Sequence, residues 1–318
     1  MIYLDYLVLI AGFIFLIKGA DFFVDGSSSI AKKFRVPPIL IGLTIVAFGT
    51  SAPEAAVSIN AALKGSNEIA LGNVIGSNLF NFLLVIGISS VINPMKVQKG
   101  TILKEFPFTI LTSLVLFILC ADIPLQGASV DILSRADGLI LLSLFLIFLY
   151  YLVEMAILSK EDYKEEVKDI SLGKSIIISI VGIIGIMFGS EWVVNASSSI
   201  AIRFGMSQNL VGLTIVAVGT SLPELVTSIV AAFKNESDIA MGNVIGSNMF
   251  NLLFVLGISS VIRPIPINSI IFVDMIYLLI VTIITYLFAI TKRTVYRGEG
   301  MFLSLSYVVY MAFIIMRN

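Results

Sequence analysis

The sequence contains no histidine, and it has only one cysteine, Cys120, and one tryptophan among its 318 residues. Without histidine the chain cannot form a usual zinc site, a Ser-His-Asp triad or a histidine proton relay. A single cysteine excludes an intramolecular disulfide and a cluster of thiolate ligands. Charged residues make up 13% of the chain, about half the share in globular proteins, and the formal net charge is −1. This composition offers no basic surface for nucleic acid.

Hydrophobic residues, at 58% of the chain, take the place of the missing charge. A membrane-spanning helix needs about 20 mostly apolar residues. With that criterion the sequence predicts an all-α polytopic membrane protein whose ten transmembrane helices cover residues 2–31, 39–63, 68–92, 101–121, 136–158, 174–202, 208–233, 238–262, 268–290 and 299–316. The lipid bilayer is then the expected surrounding of the protein, and we predict no obligatory protein partner.

The positions of lysine and arginine predict the orientation, because cytoplasmic loops accumulate these residues. Alternate connections hold 14 of the 20 basic residues, whereas the other connections and the C-terminal end hold 5. We therefore expect a multi-pass protein of the plasma membrane with both termini on the non-cytoplasmic side. Within the first span, we expect Lys18 to pair with Asp21 one turn away.

An internal repeat divides the chain into two parts. Residues 41–92 and 211–262 align without a gap at an offset of 170, and 35 of the 52 paired residues are identical. An odd number of spans, five, separates the two copies, so they cross the membrane in opposite directions. We therefore predict two inverted five-helix repeats, 1–158 and 174–318, joined by a cytoplasmic linker, 159–173. Inverted repeats with a binding site at their interface are typical of secondary transporters.

Each copy carries the pattern Gly-Thr-Ser-x-Pro-Glu within an apolar span. The pattern ends at Glu54 in the first copy and at Glu224 in the second. Proline and glycine predict that helices 2 and 7 are broken here, at mid-membrane. Non-helical backbone is tolerated at that depth where it lines a cavity, and a carboxylate there must be neutralised.

A second polar segment, Gly-Asn-Val-Ile-Gly-Ser-Asn-x-Phe-Asn, follows in each copy. In the first copy Asn73, Ser77 and Asn81 are spaced four residues apart and share one face of a helix. For Asn73 and its counterpart Asn243, hydrogen bonding between helices and a role at the site are equally supported. Together with the glutamates, the hydroxyl, amide and carbonyl groups form an all-oxygen set, which hard cations such as Ca²⁺ and Na⁺ prefer.

These paired segments, GTSAPE and GTSLPE, each followed by GNVIGSN-x-FN, resemble the two α-repeats of the sodium/calcium exchanger family, in a prokaryotic-type form without a regulatory domain. The resemblance implies an antiporter rather than an enzyme, with Ca²⁺ and Na⁺ as transported ions and no cofactor. It also implies twelve ion-binding residues, six from each repeat: Ala47, Thr50, Ser51, Glu54, Ser77, Asn81, Ala217, Thr220, Ser221, Glu224, Ser247 and Asn251.

Asn251 bears on the coupling, because some members of the family, including the K⁺-dependent ones, carry aspartate there. An amide disfavours K⁺ dependence and leaves the site charge at −2, so that exchange of three Na⁺ for one Ca²⁺ is expected to be electrogenic. K⁺-dependent or H⁺-coupled exchange of Ca²⁺ is the alternative, and a passive cation channel is the alternative from a different class.

Overall fold

The structure is a computed structural model that describes residues 2–65, 67–158, 171–206, 215 and 217–317. Within these residues, eight helices are long and apolar enough to cross a membrane, and a bent pair of helices forms one further span. The fold is that of an all-helical protein with multiple membrane spans.

The helices follow the predicted spans closely. The first half of the chain contains α1 (Ile2–Phe34), α2 (Pro38–Thr50), α3 (Ala52–Lys64), α4 (Asn67–Phe80, continued by Asn81–Val85 and Ile86–Ile92), β1 (Met95–Lys96), α5 (Thr101–Leu119), α6 (Asp122–Gln126), β2 (Ile132–Leu133) and α7 (Arg135–Leu158). The second half contains α8 (Leu172–Arg203), α9 (Ala217–Thr220), α10 (Leu222–Phe233), α11 (Ser237–Ile262), β3 (Ile265–Pro266), α12 (Ser269–Ile290), β4 (Thr294–Val295) and α13 (Arg297–Arg317).

Two predicted segments lie partly outside the described residues. The predicted seventh span, 208–233, includes residues 208–214 and 216, which the structure does not describe. Residues 159–170, most of the predicted linker, are not described either. Leu172 and Gly173, predicted as linker, belong to the first turn of α8.

The second span is broken at Ser51, in agreement with the prediction. Helices α2 and α3 meet there at an angle of 50°, and Ser51 has φ −84° and ψ 5°. Pro53 lies in the first turn of α3, where the missing N–H costs no helical hydrogen bond. Ser221 interrupts α9 and α10 in the same way, with φ −94° and ψ 7°.

The two longest helices, α1 and α8, pack backbone against backbone. A Cβ atom added at Gly19 would lie 2.6 Å from the amide nitrogen of Ile186, so only glycine allows this approach. Along the interface Gly12 contacts Gly189, Gly19 contacts Gly182 and Gly26 contacts Ser175. As the residue number rises in α1 it falls in α8, so the two helices are antiparallel.

The two halves of the chain also form hydrogen bonds with each other at both ends of the molecule. Strand β1 pairs antiparallel with β4, and β2 pairs antiparallel with β3. The side chain of Arg135 donates to the carbonyl of Ile262, and the side chain of Arg297 donates to the carbonyl of Ile92, both at 3.4 Å. The same arrangement therefore occurs twice, with the two halves exchanging places.

The predicted pairing of Lys18 with Asp21 is wrong. Lys18 is exposed, whereas Lys234 binds both Asp21 and Asp25, with Nζ–Oδ1 distances of 2.6 Å in each case. The i, i+3 spacing identified a neighbour within one helix, but packing places α10 along α1, and the end of α10 supplies a closer cation.

Candidate cation-binding site

The two glutamates of the repeated motif lie in the first turns of α3 and α10, directly after the breaks in the helices. Glu54 and Glu224 are both fully buried. The free N–H groups of a helix N-terminus favour a negative charge, which is one reason for placing the carboxylates there. None of the ion pairs among the described residues includes either of them, so another positive charge is needed to balance two buried carboxylates.

Each glutamate accepts a hydrogen bond from the serine of the other repeat. Ser51 donates to Glu224 Oε1 at 2.8 Å, and Ser221 donates to Glu54 Oε1 at 3.0 Å. The hydroxyl of Ser77 lies 3.0 Å from that of Ser221. The two motifs, 170 residues apart, therefore form one site, and α4 contributes Ser77 to it.

The asparagines that begin the second polar segment fix the helices that carry the glutamates. Asn73 donates to Ser58 at 3.0 Å and to the carbonyl of Glu54 at 3.4 Å. Asn243 makes the equivalent bonds, to Ser228 at 2.9 Å and to the carbonyl of Glu224 at 3.3 Å. Of the two roles left open from the sequence, the structure gives both asparagines the hydrogen bond between helices.

Four asparagines meet where α4 and α11 approach each other. Asn81 donates to the side-chain oxygen of Asn248 at 3.0 Å, and Asn251 donates to that of Asn78 at 3.3 Å. Asn78 in turn donates to the backbone carbonyl of Asn248 at 3.3 Å. All four side chains are completely buried.

Four of the six buried carboxylate and amide oxygens that have no hydrogen-bond donor among the described residues belong to this region. They are one carboxylate oxygen each of Glu54 and Glu224, and the side-chain oxygens of Asn81 and Asn251. Buried acceptors are rarely left unpaired, and each such group costs free energy unless something binds to it. Four oxygens from two carboxylates and two amides suit a desolvated hard cation.

The other residues predicted for the site differ in their burial and in their hydrogen bonds. Thr50 is buried and donates to the side chain of Asn243 at 3.0 Å. Ser247 is buried and donates to the carbonyl of Ala47 at 3.5 Å, an oxygen that also accepts from the Ser51 N–H at 3.0 Å. Thr220 is partly buried. Ala217 begins α9, and its side chain lies outside the described part of the chain.

Asn78 and Asn248 bond to predicted residues of the site but are not among the residues expected from the sequence. They do not lie on the stripe formed by Asn73, Ser77 and Asn81, and the spacing of four residues therefore passed over them. The signal that identifies them is the repeat, since Asn78 and Asn248 are identical residues at the offset of 170.

Comparison with known proteins gives a consistent result. The chain matches the model of the family described as sodium/calcium exchanger protein over residues 4–154 and 174–316. It is 41% identical over 262 residues to the putative antiporter CaxA of Alkalimonas amylolytica, a match that covers 80% of each chain. It is 32% identical to the sodium/calcium exchanger MaX1 of Methanosarcina acetivorans, over 98% of both chains. It is also similar to a solved structure of the sodium-calcium exchanger NCX_Mj soaked with 10 mM Na⁺ and zero Ca²⁺, with 33% identity and a TM-score of 0.85, over 98% of this chain and 99% of that one.

Proposed function

The chain belongs to the sodium/calcium exchanger family, and on that premise we propose that it exchanges Na⁺ for Ca²⁺ across the plasma membrane by alternating access. The observation that carries the proposal is the buried pair of Glu54 and Glu224, each bonded to the serine of the other repeat. One Ca²⁺ or two Na⁺ balance the charge of −2. Because the two ions compete for the same carboxylates, binding of one favours release of the other.

The ions are bound by oxygen atoms from both repeats. The four buried oxygens without a donor, from Glu54, Glu224, Asn81 and Asn251, are the strongest ligands of the proposal. The remaining ligands are hydroxyl and carbonyl groups close to them: Ala47, Thr50, Ser51, Ser77, Ala217, Thr220, Ser221 and Ser247. With Asn251 neutral, a third Na⁺ carries net charge, and exchange of three Na⁺ for one Ca²⁺ is electrogenic.

The transmembrane arrangement is ten helices in two inverted repeats, 1–158 and 174–318, joined by the linker 159–173. The antiparallel packing of α1 against α8 supports this proposal, because these helices are equivalent in the two repeats. The reciprocal pairing of β1 with β4 and of β2 with β3 supports it as well. By the distribution of lysine and arginine, both termini lie on the non-cytoplasmic side.

The proposal is tested by ion flux in proteoliposomes. Vesicles loaded with Na⁺ and diluted into Na⁺-free medium with radioactive Ca²⁺ are expected to accumulate Ca²⁺, with K⁺ omitted and pH gradients collapsed. Removing internal Na⁺ should stop uptake. Uptake that continues without internal Na⁺ would indicate a channel, and uptake that requires K⁺ or a pH gradient would indicate the alternative coupling.

Two variants and an imposed voltage complete the test. Glu54→Gln is expected to abolish uptake, whereas Glu154→Gln, at an exposed position of α7, should leave it unchanged. Robust Na⁺-driven uptake by Glu54→Gln would refute the site. A voltage that is negative inside the vesicle should slow the exit of three Na⁺ against one Ca²⁺, and indifference to voltage would refute the electrogenic stoichiometry.

A further inference from the structure

The amide of Asn78 has only one orientation that satisfies its neighbours. Its nitrogen lies 3.3 Å from the backbone carbonyl of Asn248, and a carbonyl can only accept. The Asn78 nitrogen therefore faces that carbonyl, and the Asn78 oxygen must face the opposite way. A backbone atom of α11 thus sets the direction of this side chain on α4.

The orientation of Asn78 determines that of Asn251. The Asn78 oxygen lies 3.3 Å from the Asn251 nitrogen, and an oxygen in this position requires a donor. The Asn251 nitrogen is consequently turned towards Asn78, and the Asn251 oxygen is directed away from it. That oxygen is buried and has no donor among the described residues.

We propose that Asn78 is a positioning residue, which holds the amide of Asn251 with its oxygen available to the transported cation. Without Asn78, either face of the Asn251 amide can turn inward, and a nitrogen carrying two hydrogens repels a cation. This inference rests on the proposed function, because it gives Asn251 the role of an ion ligand. Asn81 is in a different situation, since its partner Asn248 has a side-chain nitrogen without an acceptor among the described residues.

The test measures Ca²⁺ binding by calorimetry on the purified full-length chain in detergent, so that binding is separated from coupling to Na⁺. Asn78→Ala is expected to weaken Ca²⁺ binding about tenfold, the effect of one buried polar group left unpaired. The same variant should raise the KM for Ca²⁺ in vesicles more than it lowers kcat. Asn93→Ala is the matched control, because Asn93 also donates its amide to a carbonyl of the other half, that of Ala232, but at the far end of α4.

Double variants separate positioning from a general loss of structure. In an Asn251→Ala background, Asn78→Ala is expected to add less than about a twofold loss, because the side chain that it positions is gone. In an Asn81→Ala background the loss of about tenfold should persist in full. Equal effects in the two backgrounds would overturn the proposal, and so would unchanged binding by folded Asn78→Ala.

A further variant protects the test against misfolding. Asn78→Ser keeps a small group that can donate and accept, and binding closer to that of the wild type than Asn78→Ala shows would support the proposal. Wild-type protein that binds Ca²⁺ but does not exchange it for Na⁺ would refute the proposed coupling and leave the binding test valid. Wild-type protein that binds no Ca²⁺ would overturn both proposals.

Discussion

Ser51 and Ser221 connect the two repeats at the level of single hydroxyl groups. Each lies at the break of its own helix and donates to the glutamate of the other repeat. A serine at this point has the non-helical backbone that allows its side chain to reach across the site. Each carboxylate is carried by one half and bonded to the other, so a movement of one half alters the surroundings of both glutamates.

Removing either hydroxyl should therefore weaken ion binding. Ser51→Ala and Ser221→Ala are each expected to raise the KM for Ca²⁺ about tenfold, since a hydrogen bond to a charged group contributes about 1.5–3 kcal/mol. Initial rates of Na⁺-driven Ca²⁺ uptake over a range of Ca²⁺ concentrations measure the change. Ser113→Ala is the control, because Ser113 is also buried but donates to the carbonyl of Thr109 in its own helix. A similar KM for all three variants would contradict the prediction.

Single residues show which features the sequence alone predicts and which it does not. Glu54 and Glu224 could be identified in advance because a carboxylate is costly in an apolar span, and because both occur at the same place in a repeat. The partner of Asp21 could not, since Lys234 is distant in sequence and only the packing of α10 along α1 brings it close. The crossed bonds of the serines depend in the same way on tertiary structure.

Among the elements, α1 and α8 depend most directly on glycine. A Cβ atom at Gly182 would lie 2.5 Å from the amide nitrogen of Phe23, and one at Gly189 would lie 2.5 Å from that of Leu16. Backbone atoms cannot turn aside as a flexible side chain can. The close contact of backbone with backbone therefore runs along both helices, from Gly12 and Gly189 to Gly26 and Ser175.

We expect Gly182→Ala to destabilise the protein by about 1–3 kcal/mol, the usual cost of adding atoms to a filled interface. The measurement is thermal unfolding of the purified protein in detergent. Gly298→Ala in α13 is the matched control, because a Cβ atom there meets no described atom within 4 Å. An unchanged unfolding temperature for Gly182→Ala would show that the two helices separate easily.

The sequence predicted the broken helices but not the π-helical turns. Proline and glycine mark the break at Ser51 because they act locally on the backbone. Nothing comparable marks the π-helical segments Asn81–Val85 and Phe250–Val255. These segments contain Asn81 and Asn251, and π-helical turns often occur at functional sites. Because no local pattern of residues marks these turns, the sequence alone does not predict them.

At the scale of the whole molecule the two halves are equivalent in sequence but not in contacts. Helix α10 packs along α1, whereas its counterpart α3 has at most isolated contacts with α8, the counterpart of α1. Lys234 at the end of α10 binds Asp21 and Asp25. The equivalent residues at the offset of 170 are Lys64 and Glu191, which are both exposed, and none of the ion pairs among the described residues includes them. The ion pairs of Lys234 therefore join the two halves at one end of the molecule, and no equivalent ion pair of Lys64 occurs at the other end among the described residues.

Lys234 stays protonated over the physiological pH range. Burial lowers the pKa of this lysine, but its bonds and attraction to Asp21 and Asp25 outweigh burial, so its pKa lies above the ordinary value. Because a raised lysine pKa means that the interaction is complete at lower pH and lost only above that pKa, the contact should be unaffected between about pH 6 and pH 9.

Lys234→Ala should loosen this end of the molecule and not the other. Losing a partly exposed lysine that binds two carboxylates costs about 1 kcal/mol, which corresponds to about fivefold faster hydrogen exchange in the backbone of residues 227–236. Lys64→Ala is the internal control, because the ammonium group of Lys64 makes no ion pair with the described residues, and its removal should leave exchange in α3 unchanged. Faster hydrogen exchange at both ends after either substitution would mean that the contact does not distinguish the two ends.

If the two repeats switch conformations during transport, adding Na⁺ or Ca²⁺ should change the hydrogen-exchange rates at the two ends in opposite directions. Lys234→Ala should reduce the difference between the two ends.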